Sequence, residues 1–556
     1  MKPYVPAADA RIAASLLLLR DGDDGLEVLM MRRAERAGDM RSGVAVFPGG
    51  VVDPRDRQGH GWVLGPSDAE RSRHMGLAEG GLDYVVAALR ESFEEVGLLL
   101  AVGEDEAAFD ATAHAEALHP WRDRLNRSEV GVAEFCTHFG LRLDGRNLAY
   151  YSHWLTPPGA PKRFDTRFFC TLAPQGQQAQ ADLGEAQELM WLTPAEAMKA
   201  ERGLKLLPVT RCTLEDLARF GRAADALGEA MERREFRLNM PRFARTRKGS
   251  RIVLPDELPY AEVARLDPEG RGDASAEIVP GEVVVLSPRV RRVTAPNAGP
   301  MTGPGTNTYL VACPQTRRWT VIDPGPTDEA HLQAVLAAAD GPIERIVVTH
   351  THRDHSPGAA PLSKATGAPV LGRVALHPAW QDPDFSPASQ PVDGERLVLG
   401  PEATLRVLHT PGHASNHLCF LLEQERLLFT GDHVMQGSTV VINPPDGDMS
   451  AYLRSLHALL EEDLDGLAPG HGFLVDEPHA VLRALIRHRL RRESKVLAAL
   501  RQAAPCTAET LLPLVYDDVP ESLHALARRS LLAHLLKLRD DGLAQADQEV
   551  WSLGPA

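Results

Sequence analysis

"VVTHTHRDHSPG", residues 347–358, places three histidines and one aspartate within six consecutive positions. The overlapping stretch RIVVT, at 345–349, is a short apolar, β-branched run that predicts a buried strand. Because alternate residues of an extended segment point the same way, His350 and His352 should project together from the end of this strand. Paired imidazoles followed by a carboxylate are typical of a zinc site, and a polar loop without a metal is the alternative.

Asp354 and His355 follow in the loop, and SPGAAPL at 356–362 predicts the start of a helix. One loop cannot supply all the ligands of a zinc site, so the others must come from elsewhere in the chain. Three downstream stretches repeat the order of apolar strand, glycine turn and side chain that can bind a metal. They are LHTPGHASNH (408–417) with His413, RLLFTGDHV (426–434) with Asp432, and GLAPGHGFLV (466–475) with His471.

The order HxHxDH, His, Asp, His resembles the ligand pattern of the metallo-β-lactamase superfamily. The resemblance implies an αβ/βα sandwich of two mixed sheets flanked by helices, with two zinc ions between the loops at one edge. The implied ligands are His350, His352 and His413 for one ion, Asp354, His355 and His471 for the other, and Asp432 as the bridge between them. Asp354 is also the candidate catalytic residue. Two adjacent zinc ions activate water, which is hydrolytic chemistry.

The C-terminal region bears on the choice of substrate. Residues 507–516 and 522–544 predict two helices and 545–553 predicts a strand pair, an order typical of a winged helix. Residues 283–556 together resemble the β-lactamase-like protein 2 group, whose best-known member is a single-strand-cleaving endoribonuclease. The resemblance implies single-stranded RNA as one candidate partner. A thioester or another carboxylic ester is the alternative substrate, and a nucleic-acid-binding regulator is the alternative to an enzyme.

A second group of charged residues lies in YVVAALRESFEEVGLLL (84–100), whose apolar spacing predicts a helix that stops at Gly97. Glu91, Glu94 and Glu95 stand at i, i+3 and i+4, so their carboxylates share one face of that helix. Like charges this close repel one another unless a cation neutralises them. Oxygen ligands of this type suit Mg²⁺ or Mn²⁺ together with substrate phosphates, and a solvated acidic helix is the alternative.

The nine residues RESFEEVGL, which begin at Arg90, resemble the second half of a Nudix box. FPGGVVDPRD (47–56) resembles its glycine half, with Asp53 and Asp56 in place of the usual glutamates and a long insertion between the halves. The interrupted box is similar to that of Nudix hydrolases of the peroxisomal coenzyme A diphosphatase type. This resemblance implies an α/β/α sandwich that cleaves a small-molecule nucleoside diphosphate derivative, with coenzyme A as the leading candidate.

The same resemblance assigns roles to the glutamates. Glu94 and Glu95 would bind Mg²⁺ or Mn²⁺, and Glu91 would be a further ligand or the catalytic base that activates water. Arg90 would orient a glutamate rather than contact the substrate. EAQELMWLTPAEAM (185–198) is similar to a late Nudix strand and helix, and Glu185 or Glu188 within it could add a carboxylate.

Composition excludes several classes of protein. The formal net charge of −16 argues against a general polyanion-binding protein. The basic stretch 483–495 predicts a helix that could contact phosphates, although a solvated helix face is the alternative. No apolar run approaches the roughly 18 residues that a membrane span needs, and no export signal is apparent. The six cysteines are widely spaced, so we expect reduced thiols in a cytoplasmic protein.

These features predict several domains of α/β and α+β type on one chain. Residues 263–282 are rich in glycine, proline and charge and predict a linker. We therefore expect a Nudix domain at 1–262, a metallo-β-lactamase domain at 283–475, and a connector helix with a winged helix at 476–556. The sequence does not indicate an oligomeric state.

Overall fold

The computed structural model describes residues 3–33, 43–107, 109–182 and 186–554. The chain divides into two compact units, Met1–Pro241 and Arg242–Ala556. None of the helices in the described ranges combines the length and the hydropathy that are needed to cross a bilayer.

The first unit is built on one large mixed sheet. Its strands are β1 (Ala10–Gly22), β2 (Gly25–Arg33), β3 (Val44–Val46), β4 (Gly49–Val51), β5 (Val63–Leu64), β6 (Ala101–Gly103), β7 (Leu141–Asp144), β8 (Ala149–Leu155), β9 (Arg163–Leu172), β10 (Ala186–Leu192), β11 (Lys205–Leu206) and β12 (Leu238–Asn239). The main sheet has the order β11-β3-β2-β1-β9-β8-β12, with β4 paired to β1 and β10 paired to β2. Strands β5, β7 and β6 form a separate small sheet.

Helices cover both faces of that main sheet. They are α1 (Asp68–His74), α2 (Gly81–Val96), α3 (Ala115–Asn126), α4 (Val132–Phe139), α5 (Pro194–Ala197), α6 (Pro208–Leu217) and α7 (Ala223–Glu232). Leu16 and Leu18 of β1 pack with the α2 side of the sheet, whereas Leu17 and Leu19 pack with the α6 and α7 side. Because alternate residues of a strand face opposite sides, a strand covered on both faces reads as a continuous apolar run. This arrangement explains the apolar stretch at the start of the chain.

Helix α2 carries the glutamate cluster and agrees with the predicted helix. It ends at Val96, and Gly97 follows with φ +70 in the left-handed region. Glycine is favoured in that region because it has no Cβ, so Gly97 acts as the stop that the sequence indicates. The amide of Gly97 donates to the carbonyl of Phe93, which closes the last turn. The short β4 (Gly49–Val51), the glycine half of the box, pairs with β1, and α2 packs against both strands.

The second unit is a sandwich of two sheets. Its elements up to the last sandwich strand are β13 (Arg242–Thr246), β14 (Gly249–Val253), α8 (Tyr260–Leu266), β15 (Val283–Val285), β16 (Val290–Thr294), β17 (Asn307–Ala312), β18 (Trp319–Ile322), α9 (Glu329–Ala338), β19 (Ile343–Val347), α10 (Ala359–Thr366), β20 (Val370–Leu371), β21 (Arg396–Gly400), β22 (Ala403–His409), β23 (Leu418–Leu422), β24 (Leu427–Gly431), α11 (Met449–Leu459) and β25 (Gly466–Pro469). One sheet runs from β15 to β20 in chain order and the other from β21 to β25.

The inner faces of the two sheets form a single apolar core. Tyr309 and Val311 of β17 pack there with Phe420 of β23 and Phe429 of β24. The outer face of the first sheet is covered by α9 and α10, and that of the second by α11. The order helix, sheet, sheet, helix is the αβ/βα architecture that the sequence predicts.

The C-terminal part contains α12 (Pro478–Ala503), β26 (Cys506–Thr507), α13 (Ala508–Val515), α14 (His524–Asp540), β27 (Ala544–Asp547) and β28 (Val550–Leu553). The three strands form a small sheet in the order β26-β28-β27, so the predicted winged helix is present. Ala533 of α14 shares an apolar cluster with Met449 and Tyr452 of α11 and with Leu482 of α12. The winged helix is therefore packed onto the sandwich through one face of α14.

The segment between the expected domains differs from an open linker. The division between units falls after Pro241, and 242–282 belongs to the second unit. Ala244, Val253, Val263, Ala274 and Ala276 form a small buried cluster there. These side chains are short and widely spaced, so they produce little apolar periodicity in the sequence. The hairpin β13–β14 packs on α8 through this cluster, and α8 in turn contacts the sandwich.

One contact between α8 and the sandwich is a buried ion pair. Glu262 of α8 accepts two hydrogen bonds from the guanidinium of Arg292 in β16, at 2.6 and 2.9 Å. The two side chains are 2% and 1% exposed. A further hydrogen bond, from the amide of Leu474 at 3.0 Å, ties the same carboxylate to the segment after β25. Removal of one partner of such a pair leaves the other charge buried and uncompensated.

We therefore predict that Glu262→Ala destabilises the second unit by about 3–5 kcal/mol. Hydrogen exchange of the β16 amides in the full chain measures the free energy of opening. Glu277→Ala is the matched control, because the Arg247–Glu277 pair is largely exposed and its loss should barely change that free energy. Equal protection of β16 in both variants would show that the α8 contact does not hold this unit together.

Candidate active sites

The predicted zinc ligands lie where strands of the sandwich end. His350 and His352 follow β19, Asp432 follows β24, and His471 follows β25. His413 lies in the turn between β22 and β23. Strands of two packed sheets that end at the same edge bring residues distant in sequence together, which is how a rigid scaffold presents a site on its loops.

The structure brings all the predicted ligands into two adjacent groups. Within each group the potential ligand atoms lie within 4.8 Å of one another. Asp432 belongs to both groups: its Oδ1 lies 3.2 Å from His471 Nε2, and its Oδ2 lies 3.7 Å from His413 Nε2. The first group is His350, His352, His413 and Asp432, and the second is Asp354, His355, Asp432 and His471.

The far nitrogens of three histidines are held by the protein. His355 Nδ1 lies 2.9 Å from Asp323 Oδ2, and His413 Nδ1 donates to the carbonyl of Val441 at 2.8 Å. His471 Nδ1 donates to the carbonyl of Gly305 at 3.1 Å. A ring nitrogen that donates a proton fixes the tautomer, so the Nε2 lone pair of each ring is directed into the cluster.

Several inward-facing atoms have no hydrogen-bond partner among the described residues. They are His355 Nε2, His471 Nε2 and Asp432 Oδ1; all three are buried, and both nitrogens lie 3.2–3.3 Å from Asp432 Oδ1 without forming a hydrogen bond to it. A buried polar atom without a partner costs free energy of about 1–3 kcal/mol. Three such atoms that converge on one point fit a bound cation. The donor set of imidazole nitrogen and carboxylate oxygen is that of a zinc site.

The electrostatics of the two groups differ. Burial and the neighbouring histidines lower the pKa of His350 well below its ordinary value, and burial lowers the pKa of His352 to about 3. Burial also opposes protonation of His355 and His471, but the adjacent carboxylates outweigh it. They raise the pKa of His355 well above its ordinary value and that of His471 to about 9. His350 and His352 are thus neutral imidazoles, whereas His355 and His471 lie beside the carboxylates of Asp354 and Asp432.

Two further buried histidines at this centre lie outside the set that the sequence predicts. The ring of His417 stacks on that of His350, with centroids 5.0 Å apart and an interplanar angle of 28°. His433 lies behind His417, with ring centroids 5.6 Å apart. A Cβ on Gly431, where φ is +45, would come within 2.9 Å of His417 Nε2. The sequence does carry a signal for both, because each histidine lies close to a predicted ligand. His417 follows His413 in HASNH, and His433 follows Asp432 in GDHV.

Arg90 organises the predicted Nudix glutamates in the first unit. Its Nη1 donates to Glu91 Oε1 at 2.8 Å and to Glu94 Oε2 at 2.9 Å, and its Nε donates to Asp56 Oδ1 at 2.8 Å. The amide of Gly49 donates to Glu95 Oε2 at 2.7 Å. The structure therefore supports the interpretation that Arg90 orients glutamates. It also shows that Asp56, in the glycine half of the box, is the partner of that arginine.

Close packing fixes the position of Glu91. A Cβ on Gly50 would lie 2.2 Å from Glu91 Oε1, so a side chain there would displace the Glu91 carboxylate. Asp53 has a different role, because it caps the turn at Pro54–Trp62 and pairs with Arg55 at 2.8 Å. Of the two aspartates in the box, only Asp56 contacts the carboxylate cluster through Arg90 in the part of the chain that the structure describes.

Glu94 carries the clearest signal of a cation at this site. Its Oε1 is buried and has no hydrogen-bond partner among the described residues. Burial, opposed by Arg90, raises its pKa to about 7. The three glutamates do not form a close ligand group like those of the second unit within the described ranges, because Arg90 lies between Glu91 and Glu94. Glu188 is half-exposed beside Arg32, and Glu185 lies outside the described residues.

Comparison with protein families identifies three domains in the chain. Residues 301–471 match the family model described as "Metallo-beta-lactamase superfamily", and residues 68–208 match "NUDT19 Nudix domain". Residues 507–551 match "Beta-lactamase associated winged helix domain". The Nudix match begins after the glycine half of the box and includes the helix with the glutamates. Both catalytic domains are hydrolase domains, so the chain is a metal-dependent hydrolase.

Individual relatives match about half of the chain. An "Atrochrysone carboxyl ACP thioesterase" of Aspergillus chevalieri is 33% identical over 278 residues, 47% of this chain and 84% of the relative. A "Beta-lactamase-like protein 2 homolog" of Drosophila melanogaster is 30% identical over 289 residues, 49% of this chain and 97% of the relative. A solved metallo-beta-lactamase family protein of Thermus thermophilus is 22% identical, with a TM-score of 0.42 and coverage of 48% of this chain and 100% of its own. The chain therefore belongs to the metallo-β-lactamase superfamily and carries, beside that domain, a Nudix domain and a β-lactamase-associated winged helix.

Proposed function

We propose that the chain is a bifunctional hydrolase with two unlike metal centres. The centre of the second unit would hold two zinc ions and cleave a thioester. The centre of the first unit would hold Mg²⁺ or Mn²⁺ and cleave a nucleoside diphosphate derivative such as coenzyme A. The observation that carries the first assignment is the sharing of Asp432 by two groups of inward-facing ligand atoms.

The residues of the second unit would have separate roles in hydrolysis. His350, His352 and His413 would hold one zinc ion, Asp354, His355 and His471 would hold the other, and Asp432 would bridge them. Bound zinc supplies an activated water at neutral pH and stabilises negative charge on the substrate oxygen. The Asp354 side chain is 28% exposed, so it lies at the open side of the cluster. The buried histidines exclude water from the other sides.

The rim of this centre favours an ester with an apolar acyl group. The loop 372–390 exposes three apolar side chains: Val374 is 54% exposed, Leu376 is 80% exposed and Trp380 is 59% exposed. The loop is tied to the ligand segment, because the amide of Asp382 donates to the carbonyl of Thr351 at 2.6 Å. Apolar side chains exposed together beside a catalytic centre are suited to an apolar substrate group. One relative of the chain is named an acyl carrier protein thioesterase.

The basic stretch on α12 gives less support to nucleic acid than its composition suggests. Arg489 is buried and donates to the carbonyl of Val440. Arg492 is buried too, where it pairs with Asp518 at 2.7 Å and lies over the ring of Tyr516. These arginines therefore hold the winged helix to its surroundings. The packing of α14 onto α11 also covers part of the helix that a free winged helix would present to a nucleic acid duplex.

Cleavage of single-stranded RNA is the second candidate for this centre. Arg487 and Arg491 on α12 are exposed, and no salt bridge to either is found in the described ranges. Together with the winged helix they could bind a phosphate backbone near the sandwich. Two exposed arginines would neutralise few phosphates, and the chain has a formal net charge of −16, so the affinity for RNA from this source would be weak.

The first prediction concerns the zinc centre. Purified protein should contain close to two transition-metal ions per chain, mainly zinc, by elemental analysis. Asp432→Ala removes the shared ligand and should lower that number while abolishing hydrolysis of an acyl pantetheine thioester. Glu94→Gln is the control and should leave the zinc content and the thioester activity intact. Wild-type protein that binds no transition metal would contradict the centre, and a metal-loaded protein that ignores thioesters would contradict only the substrate.

The second prediction concerns the Nudix glutamates. Glu94→Gln preserves volume but removes the charge that would hold Mg²⁺, so Mg²⁺-dependent hydrolysis of coenzyme A should fall at least about 100-fold. Chromatographic separation of the two phosphate-containing products measures this reaction. Glu188→Gln is the matched control, because Glu188 is half-exposed and pairs with Arg32 at 3.7 Å, away from the arginine that holds the other acids. Wild-type rates in the Glu94 variant would support a solvated acidic helix.

The third prediction separates RNA from thioester chemistry. If RNA is the substrate, Arg487→Ala with Arg491→Ala should weaken RNA binding and reduce the slope of log affinity against log salt by about 0.7 for each phosphate that is no longer neutralised. Fluorescence anisotropy of a labelled single strand measures both quantities. We expect no such change and unaltered thioester hydrolysis. Arg489 and Arg492 are left in place because their removal would disturb the fold.

A further inference from the structure

One contact joins the winged helix to the rim of the zinc centre. The guanidinium carbon of Arg529, in the first half of α14, lies 5.0 Å from the ring centroid of Trp380 in the loop 372–390. A guanidinium at this distance from an indole face makes a cation–π contact. The loop and the winged helix therefore meet at the side chain of Trp380.

Trp380 is held beside the ligands in an unusual conformation. The next residue, Gln381, forms a β-bridge with His352, and its side chain contacts Thr351 Oγ1 at 2.6 Å. The φ of Trp380 is +69, in the left-handed region that bulky residues rarely adopt. Its side chain is nevertheless 59% exposed rather than buried in a core. A strained backbone that leaves an indole open to solvent beside a catalytic centre indicates a role in binding.

No carboxylate among the described residues neutralises the charge of Arg529. Across the described ranges, neither a salt bridge nor a hydrogen bond to a carboxylate involves Arg529, and its guanidinium contacts the indole of Trp380. The preceding residue, Arg528, is different, because its Nε donates to Glu509 at 2.7 Å. A planar guanidinium with free donors suits a phosphate, which accepts two parallel hydrogen bonds.

We propose that Arg529 and Trp380 form a subsite for the phosphate end of a thioester substrate. The guanidinium would bind the phosphate of a phosphorylated thiol carrier, and the indole would pack against the chain of methylene and amide groups that leads to the thioester. This inference rests on the proposed thioester hydrolysis at the zinc centre. It gives the winged helix a role in substrate recognition, because Arg529 belongs to α14.

The test compares two substrates that differ in one phosphate: S-butyryl-4′-phosphopantetheine and S-butyrylpantetheine. Neither contains a diphosphate, so the Nudix centre does not act on them. Arg529→Ala should raise KM for the phosphorylated thioester about tenfold, about 1.4 kcal/mol, with kcat unchanged. The same variant should leave the unphosphorylated thioester unaffected. Arg529→Lys should recover part of the loss, and Arg528→Ala is the matched control with wild-type behaviour on both substrates.

Trp380→Gly tests the second member of the subsite. Glycine accepts the positive φ, so this variant removes the indole without backbone strain. It should raise KM for both thioesters, because the indole contacts the chain of methylene and amide groups that they share. Equal effects of Arg529→Ala on both substrates, or no effect on either, would overturn the subsite. Impaired cleavage of single-stranded RNA in place of thioester would overturn it in favour of RNA.

Binding measurements separate this inference from the proposed function. Calorimetry with 4′-phosphopantetheine reports the subsite even where wild-type protein hydrolyses neither thioester. An affinity that falls about tenfold in Arg529→Ala but not in Arg528→Ala would then support the phosphate subsite while the thioesterase assignment fails. Equal affinities in wild type and Arg529→Ala would overturn the subsite whatever the reaction at the zinc centre.

Discussion

The buried carboxylate of Asp432 is the constraint around which the second unit is arranged. Its two oxygens face different groups of ligands, and Oδ1 has no hydrogen bond from the described residues. Backbone must approach it closely from both sides. Gly431 lies in the left-handed region, and a Cβ on Gly470 would come within 2.8 Å of Asp432 Oδ1. Strands β24 and β25 both end in glycine turns. A Cβ on Gly470 would meet Asp432 and His355, and a Cβ on Gly431 would meet Thr349 and His417.

The first unit also brings several carboxylates close together, and there an arginine offsets their mutual repulsion. Its carboxylates are compensated within the chain, because Arg90 bonds to Asp56, Glu91 and Glu94 at once. An internal guanidinium holds the acids in place before any cation binds, and it leaves Glu94 Oε1 as the buried atom with no hydrogen-bond partner among the described residues. The hard oxygen donors here and the imidazoles of the second unit differ in chemical type. The donor chemistry therefore favours Mg²⁺ or Mn²⁺ at the proposed site of the first unit and zinc at that of the second.

Residues whose chemistry depends on short spacing could be predicted from sequence, and residues that depend on packing could not. The HxHxDH order identified the zinc candidates, and the helical spacing with Gly97 defined α2. The partner of Arg90 was not predictable, because Asp56 is separated from it by the insertion in the box. The ordered structure of 263–282 could not be predicted, because buried alanines such as Ala274 and Ala276 give no periodic apolar pattern. The burial of Arg489 could not be predicted either, because the sequence of a basic run does not show which of its arginines face solvent and which bind a backbone carbonyl.

The packing of α14 against the sandwich limits the surface that this winged helix could offer to a nucleic acid duplex. A duplex-reading module needs its second helix exposed, but Ala533 of α14 packs with Met449 and Tyr452 of the sandwich. The buried His534 of the same helix faces Glu493 of α12, and Lys537 pairs with that glutamate at 3.0 Å. Both long helices are thus committed to internal contacts along much of their length. Arg529 of α14 contacts Trp380 in the loop that bridges to His352, so under our proposal the module extends the wall of the catalytic centre.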